Sequence, residues 1–379
     1  SNKNTGWAVG GSYSVCTCPD AAFEEIFTGR ENWFTPDEKE IKKAMRYYYE
    51  NKPDGKDGLT RANEFSYESV GNMMKEYIYE SGLAKTGHDF YAFRAEGLKN
   101  WNEDYAKRPD NYYILPENAI YNGIQFDFIL AQSKFGQFQT AKLLQERLGI
   151  PIISLEHTLP TSVLKQEWLD EIKTMAGDVN VFISEYSRDE WGLVDAPQVK
   201  VVHHGVDSET FKPNGSDKED YVLSVVNDFA NRDYCCNFSG WQRVTDGLET
   251  RLVGDNGDLG KAADSLEELV SEYNKAKVFL NTSTVSPVPT SLLEAMACGC
   301  AVVTTATCMI PEIVKNEENG LISNNEDELR AGIERLLKDD ELRENLGKNA
   351  RKTVIEKFSE KNFVENWKEL FDYTYGVRR

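Results

Sequence analysis

TSTVSPVPTSLLEAMACGCAVVTTATCMIPEIVKNEENG, residues 282–320, decides how this chain is read. It runs as a strand end, a tight loop with Pro287 and Pro289, a short helix, a glycine stop at Gly299 and a β-branched, apolar strand over Cys300–Thr304. Thr290 or Ser291 is expected to cap the helix, and Leu292, Leu293 and Met296 give it an apolar face. A helix that opens at a loop after a strand presents backbone N–H groups and the positive end of its dipole, which suits a diphosphate. Glu294 lies one turn in, where a carboxylate reaches a ribose diol beside that diphosphate.

Three segments here carry a resemblance: LLEAMACGC at Leu292–Cys300, IPEIV at Ile310–Val314 and ENGLI at Glu318–Ile322. They resemble the nucleotide-sugar site of retaining GT-B glycosyltransferases of family 4. The family carries a first glutamate eight positions before the second. Here the second is Glu294 and the first position holds Ser286, so the family's glycine-rich loop becomes Ser286-Pro287-Val288-Pro289.

Working outward, strands and helices alternate from Asn111 on. Strands are expected over Phe126–Ala131, Pro151–Glu156, Val179–Ser184 and Val199–His203, with helices at Phe138–Leu148, Val163–Met175 and from Ser187. Leu143, Leu144 and Leu148 form the apolar face of the first of these helices. A polar, hinge-like stretch, Lys212–Asp220, precedes a second alternating set. Its strands are Tyr221–Val226, Thr250–Val253 and Val278–Thr282, and its helices Ser239–Leu248 and Ser265–Ala276. Helices follow at Glu326–Leu337, Asp340–Lys357 and Glu360–Tyr375, the last with Phe363, Trp367, Leu370 and Phe371 in one stripe. The fold class is therefore α/β, with two Rossmann-like halves of parallel sheet and ligand at the carboxyl ends of the strands. The resemblance implies GT-B: an acceptor-side domain over residues 1–208, a nucleotide-sugar domain over 209–357, and a C-terminal helix, 358–379, crossing back to the first. Residues 1–110 match the family only faintly; helices are expected at Pro36–Asn51 and Tyr67–Gly82.

The 379 residues, 43.0 kDa, suit two domains of roughly 150 residues each or three. With 43 basic and 63 acidic residues the net charge is −20, which argues against a nucleic-acid partner and allows at most peripheral membrane contact. No apolar run is long enough to span a bilayer, and the polar start at Ser1 has no secretory leader's apolar segment, so a cytoplasmic location is expected. Seven cysteines at spacings unlike those of zinc sites read as reduced thiols. The motifs of dinucleotide-binding dehydrogenases, P-loop NTPases, α/β-hydrolases and zinc proteases are missing.

What the resemblance implies for individual residues is specific. Arg232 falls where the family's phosphate-binding arginine belongs; its lysine position is Asn237, and Arg243 is the substitute cation. Thr290, Ser291 and Leu292 offer helix amides to the diphosphate, Glu294 binds ribose, Ser286 faces the donor sugar and Lys261 lies in the base-contacting loop. His157, in SLEHTLP at a strand end, stands near the transferred sugar. Gly10 and Gly11 match the glycines of the first strand–helix loop. Ser184–Arg188 resembles a helix-capping turn, and His203–Asp207 the segment joining the domains. Plainer readings stay open: Arg232 pairing with Asp228 or Asp233, Glu294 solvated, His157 structural, Gly10 and Gly11 in a simple turn.

The expected activity is transfer of a sugar from a UDP- or GDP-linked donor to a glycan, lipid-linked or small-molecule hydroxyl, with retention, no cofactor and no metal. The rivals are a nucleotide-sugar epimerase or hydrolase and a catalytically silent nucleotide- or glycan-binding module. A phosphorylase with pyridoxal has no sequence cue for its lysine.

Overall fold

Strands that read as continuous apolar runs are buried on both faces, and those runs build this protein. In the computed structural model, residues 11–15, 32–36, 79–93, 107–115, 124–134, 137–160, 166–193, 198–286 and 288–377 are described. The chain divides into two compact units, Ser1–Met74 and Lys75–Arg379. In the first unit β1 (Gly11–Val15) pairs antiparallel with β2 (Asn32–Pro36). The expected helix at Pro36–Asn51 lies outside the described residues but for Pro36, the last residue of β2; of the one at Tyr67–Gly82, helical residues 79–82 are described.

In the second unit β3 (Phe90–Phe93) and β4 (Tyr112–Leu115) form a parallel pair. A four-stranded parallel sheet follows in chain order: β5 (Ile129–Ala131), β6 (Ile152–Glu156), β7 (Val179–Phe182) and β8 (Val199–Val201). Every residue of β6 and β7 is buried, as expected of a parallel sheet covered on both faces. Between these strands run α1 (Gln137–Leu148), α2 (Gln166–Thr174) and α3 (Glu185–Glu190). The apolar face expected for α1 is corrected. It buries Phe138 and Ala141, while Leu143 and Leu148 are 37% and 44% exposed. Leu143 lies two positions past Ala141, about 200° round the helix, so it turns away from the sheet. Ser184 caps α3, its hydroxyl accepting the Ser187 amide, as the SEYSR turn implied.

The second sheet holds β9 (Glu219–Val225), β10 (Thr250–Val253), β11 (Ala276–Asn281), β12 (Ala301–Thr304) and β13 (Leu321–Ile322), all parallel, in the order β10-β9-β11-β12-β13. Its helices are α4 (Asp233–Cys236), α5 (Phe238–Thr245), α6 (Leu266–Lys275), α7 (Thr290–Ala297), α8 (Ile310–Ile313), α9 (Glu326–Lys338) and α10 (Asp340–Lys357). The chain runs outward from β9 to β10 and then crosses to β11 on the other side. The direction therefore reverses between β9 and β11, and the carboxyl ends of these strands form the topological switch point at which folds of this kind bind ligand.

The stretch 212–218 is fastened rather than loose. The Asn214 amide donates to Asn274 Oδ1 at 2.9 Å, and Asn274 Nδ2 donates to the Lys212 carbonyl at 3.0 Å. The last helix, α11 (Glu360–Val377), returns to the first sheet. Phe363, Trp367, Leu370 and Phe371 are buried with Tyr79, Ile153, Leu155 and Val181. The outgoing and returning strands of chain pair there: Val206 donates to the Phe358 carbonyl at 2.8 Å and Glu360 to that of Val206 at 3.0 Å. A Cβ on Gly205 would stand 2.6 Å from Phe363 Cβ, so only glycine admits this crossing.

Candidate functional site

Loops from four strands meet at the switch point of the second sheet. After β9, Asn227 Oδ1 accepts the Asp255 amide at 2.9 Å. Asn256 Oδ1 accepts the Phe229 amide at 2.7 Å, and its Nδ2 donates to the Val226 carbonyl at 2.7 Å. The loops after β9 and β10 are thus sewn together by two asparagines. Gly254 permits the approach: its φ is +139°, and a Cβ there would lie 2.1 Å from the Val226 oxygen. Lys261 closes the second loop with its carbonyl on the Gly254 amide at 3.0 Å, while its ammonium pairs with Asp264 at 2.8 Å on the exposed surface.

The loop after β11 hangs between two supports. On one side Thr284 and Val285 donate their amides to the Cys235 carbonyl at 2.8 and 3.1 Å, and Thr282 Oγ1 donates to the Cys236 carbonyl at 2.9 Å. On the other, Thr305 and Thr307 donate their hydroxyls to the Ser283 carbonyl at 2.5 and 2.7 Å. Ser286, half-buried, and Tyr186 both hydrogen-bond to Cys308, whose thiol burial pushes up. Tyr186 follows β7 yet packs on the core beneath the second sheet, so it links the two sheets at this loop.

The expected capping of α7 is corrected. Pro289 occupies the cap position with φ −68° and ψ 110°, and no side-chain hydrogen bond closes that end. Thr290 is already helical, and proline has no side-chain acceptor. The amides of Leu292 and Leu293 reach the Pro289 carbonyl at 3.2 and 3.4 Å. The N-terminal end of α7, with Thr290 and Ser291 half-buried, follows the loop at the carboxyl end of β11. Gly299 ends the helix at φ +71°.

Glu294 is half-buried and accepts the Tyr273 hydroxyl on Oε2 at 2.7 Å. Burial, then the Glu294 charge, hold the tyrosine far above its ordinary range, so it stays a donor. Arg232 is half-buried at the start of α4, and its Nη1 donates to the Asn227 carbonyl at 3.4 Å. The carboxylates beside it are otherwise engaged: Asp228 accepts Asn231 Nδ2 at 2.6 Å, and Asp233 accepts the Ser239 amide and hydroxyl at 2.7 and 2.9 Å. Asn237 is a helix cap in the left-handed region, φ +58°, accepting the Gly240 amide at 3.1 Å. Arg243 is exposed and grips Glu326 with both arms, at 2.8 and 2.6 Å. The structure thus gathers Arg232, Ser286 and the start of α7 about one loop, and gives Arg243 to a surface ion pair.

His157 follows β6 on the first sheet. Tyr79 meets it edge-on with centroids 4.8 Å apart, and His204, in the segment between the sheets, stacks on it at 5.8 Å. Its turn is rigidly held: Glu156, fully buried, accepts the Thr158 amide and hydroxyl at 2.9 and 2.7 Å, and Trp191 Nε1 donates to the Thr158 carbonyl at 3.0 Å. Buried Lys134 lies beneath, donating to Ser154 Oγ and the Met175 carbonyl. Burial raises the Glu156 pKa and lowers that of Lys134. Gly10 lies outside the described residues, and Gly11 opens β1. Sequence reasoning missed Asn227, Asn256, Tyr273 and Cys235. The Asn-Asp pair after β9 and the Gly-Asp-Asn-Gly after β10 were its available turn signals. Among the described residues, no group of three His, Cys, Asp or Glu side chains is arranged to hold a metal.

Residues 249–353 match the family of glycosyl transferases group 1. The group 1 segment runs from β10 through α7 into α10 and so contains the Glu294 helix. The chain is similar to the N-acetyl-alpha-D-glucosaminyl L-malate synthase of Bacillus anthracis, 24% identical over 78% of this chain and 91% of that protein. It is also 22% identical to an uncharacterized glycosyltransferase of Methanocaldococcus jannaschii, over 68% of this chain and 74% of that one. Among solved structures, sucrose-phosphate synthase of Thermosynechococcus elongatus superposes with TM-score 0.63 at 17% identity, covering 78% of this chain and 91% of that one. Anabaena HepE in complex with UDP gives 0.55 at 16%, covering 65% and 79%. The fold is GT-B, and these findings together support a glycosyltransferase. In the described residues no helix is long and apolar enough to cross a membrane.

Proposed function

We propose that this protein transfers a sugar from a nucleoside diphosphate-sugar to an acceptor hydroxyl with retention of anomeric configuration, as a family 4-like hexosyltransferase. The observation that supports the reading is the N-terminal end of α7, without a side-chain cap, at the loop that follows β11 beside the switch point of the sheet. In this reading the amides of Thr290 and Ser291 hold the diphosphate, the Leu292 amide being taken by the Pro289 carbonyl. Arg232 answers the charge that grows on it as the anomeric bond breaks. A positioned donor of this kind contributes about 3 kcal/mol in a dry cleft. Glu294, oriented by Tyr273, takes the ribose hydroxyls, Lys261 lies toward the base, and Ser286 meets the donor sugar with a neutral hydroxyl. His157 follows β6 on the sheet proposed as the acceptor side. The departing phosphate accepts the acceptor's proton in a front-face displacement, so no protein nucleophile, cofactor or metal is required. The HepE structures with UDP and UDP-glucose favour uridine over guanosine in the donor.

The proposed division is residues 1–208 with 358–379 on the acceptor side and 209–357 on the donor side, in a cytoplasmic protein that touches membranes at most peripherally. A second reading, a silent nucleotide-binding module, draws on the uncharged Ser286 and Asn237 and on the pairing of Arg243 with Glu326. Calorimetry with UDP and GDP tests the site: binding of neither overturns both readings. Product analysis by NMR of the anomeric proton, with and without acceptor, then separates transfer with retention from hydrolysis, epimerisation or silence.

A further inference from the structure

Five cysteines are described, none of them in a disulfide, and two are neighbours in α4. The sulfurs of Cys235 and Cys236 are 3.7 Å apart. Their backbone carbonyls are the support on which Thr282, Thr284 and Val285 hang. We propose that Cys235 and Cys236 are a thiol–disulfide exchange site for a small-molecule disulfide, and that its closure unfastens the Thr282–Ser286 loop.

Three observations converge. First, the Cys235 thiol is held well below the ordinary thiol range, by the Cys236 thiol and the Arg232 guanidinium against the effect of burial. A thiolate is the attacking form. Burial does the opposite to Cys298 and Cys300, within the core of the second sheet, and leaves them inert. Second, the pair is buried with Phe229 in a small apolar cluster, but on a short helix whose local opening admits the reagent. Cys235 and Cys236 are each 6% exposed, on a helix of four residues whose Tyr234 is 60% exposed. Third, closure cannot leave the helix as it is. Adjacent Cα atoms stand about 3.8 Å apart, below the usual range for a disulfide, and the sulfurs must close to about 2 Å. The backbone of α4 has to move, and the carbonyls of Cys235 and Cys236 move with it. A strained bond of this kind is also readily reduced, so the change is reversible.

The chemistry balances. The Cys235 thiolate attacks one sulfur of the small disulfide and expels the first thiolate. Cys236 then attacks the Cys235 sulfur of the mixed disulfide and expels the second. One S–S bond breaks and one forms, two electrons pass from the protein to the reagent, and the two cysteine protons end on the two released thiols. If the loop is the donor loop of the transferase proposed above, on which this consequence rests, oxidation also releases the donor.

The test uses the full chain with glutathione disulfide, followed by alkylation and peptide mass spectrometry. The expected product is a peptide spanning Cys235–Cys236 that has lost two hydrogens, recovered by dithiothreitol. Cys236→Ser should stop at the glutathione adduct on Cys235. Hydrogen exchange at the Thr284 and Val285 amides should speed up by about tenfold or more on oxidation, as their acceptor is withdrawn. Failure of the internal disulfide to form, or unchanged exchange at those amides once it has formed, overturns the proposal. If the disulfide forms and the amides exchange faster while the reduced protein binds neither UDP nor GDP, the thiol site stands and the nucleotide reading falls.

Discussion

Tyr273, fully buried in the core beneath the second sheet, donates its hydroxyl to Glu294 Oε2 at 2.7 Å. The carboxylate most closely associated with the proposed ribose is therefore aimed by a residue that faces no solvent. Tyr273→Phe keeps the ring in the core and removes the donor, and should cost about 1 kcal/mol of stability. UDP affinity should fall by about threefold to tenfold through the freed Glu294 rotamer, and by more in Glu294→Ala. Urea denaturation and calorimetry read the two effects separately; unchanged UDP binding in both variants would remove Glu294 from the site.

Arg232 and Arg243 should separate cleanly. Arg232→Ala should lower kcat by about a hundredfold with a smaller change in KM, since its charge is needed most as the diphosphate departs. Arg243→Ala should leave kcat within about twofold, because an exposed pair with Glu326 contributes little. Steady-state kinetics on the two variants decides; an equal loss in both would refute the assignment.

Glu156 makes stability depend on pH in a defined direction. Its folded pKa is raised above the ordinary 4.5, chiefly by burial, so the folded state binds its proton more tightly than the unfolded chain does. Stability attached to this proton is fully present below pH 4.5 and is lost as pH climbs through the raised value. Glu156→Gln carries no titrating group and still offers an acceptor to Thr158. Its urea midpoint should lack that decline. Parallel pH profiles for the two proteins would show the assignment to be wrong.

Gly205→Ala tests the crossing of α11. With Phe363 Cβ only 2.6 Å from the added methyl, the helix must shift, at a cost of about 1–3 kcal/mol. Phe363→Ala opens space there and should recover part of that loss in the double variant, at the price of its own cavity. A guanidinium double-mutant cycle gives the coupling, and additive effects would place the contact elsewhere.

The alternation from β5 to β12 was legible because buried parallel strands are long apolar runs, bounded by glycine, proline and asparagine. The Gly299 stop and the Ser184 cap were legible because each is a local device, closed within one turn of its own backbone. The apolar face of α1 was not, since three leucines were available and only the sheet beneath the helix selects Phe138 and Ala141. Nor was the start of α7. Thr290 and Ser291 have the right chemistry for a cap, but the chain turns helical one residue earlier than a cap would sit.

For the candidate site, the helix amides after Pro289 and Glu294 one turn in came from spacing along the sequence, and Ser286 from the family resemblance. Their partners did not. Tyr273 under Glu294, Cys235 under Thr284 and Asn256 under Phe229 are separated by 21, 49 and 27 positions, and although Asn256 lies in a legible turn, nothing local marks any of these pairings. Hydrophobic period and turn chemistry act over a few residues, so they determine which strands and helices form. Which hydroxyl, carbonyl or guanidinium meets another at the switch point depends on strand order, and the chain acquires that order only when its sheets assemble.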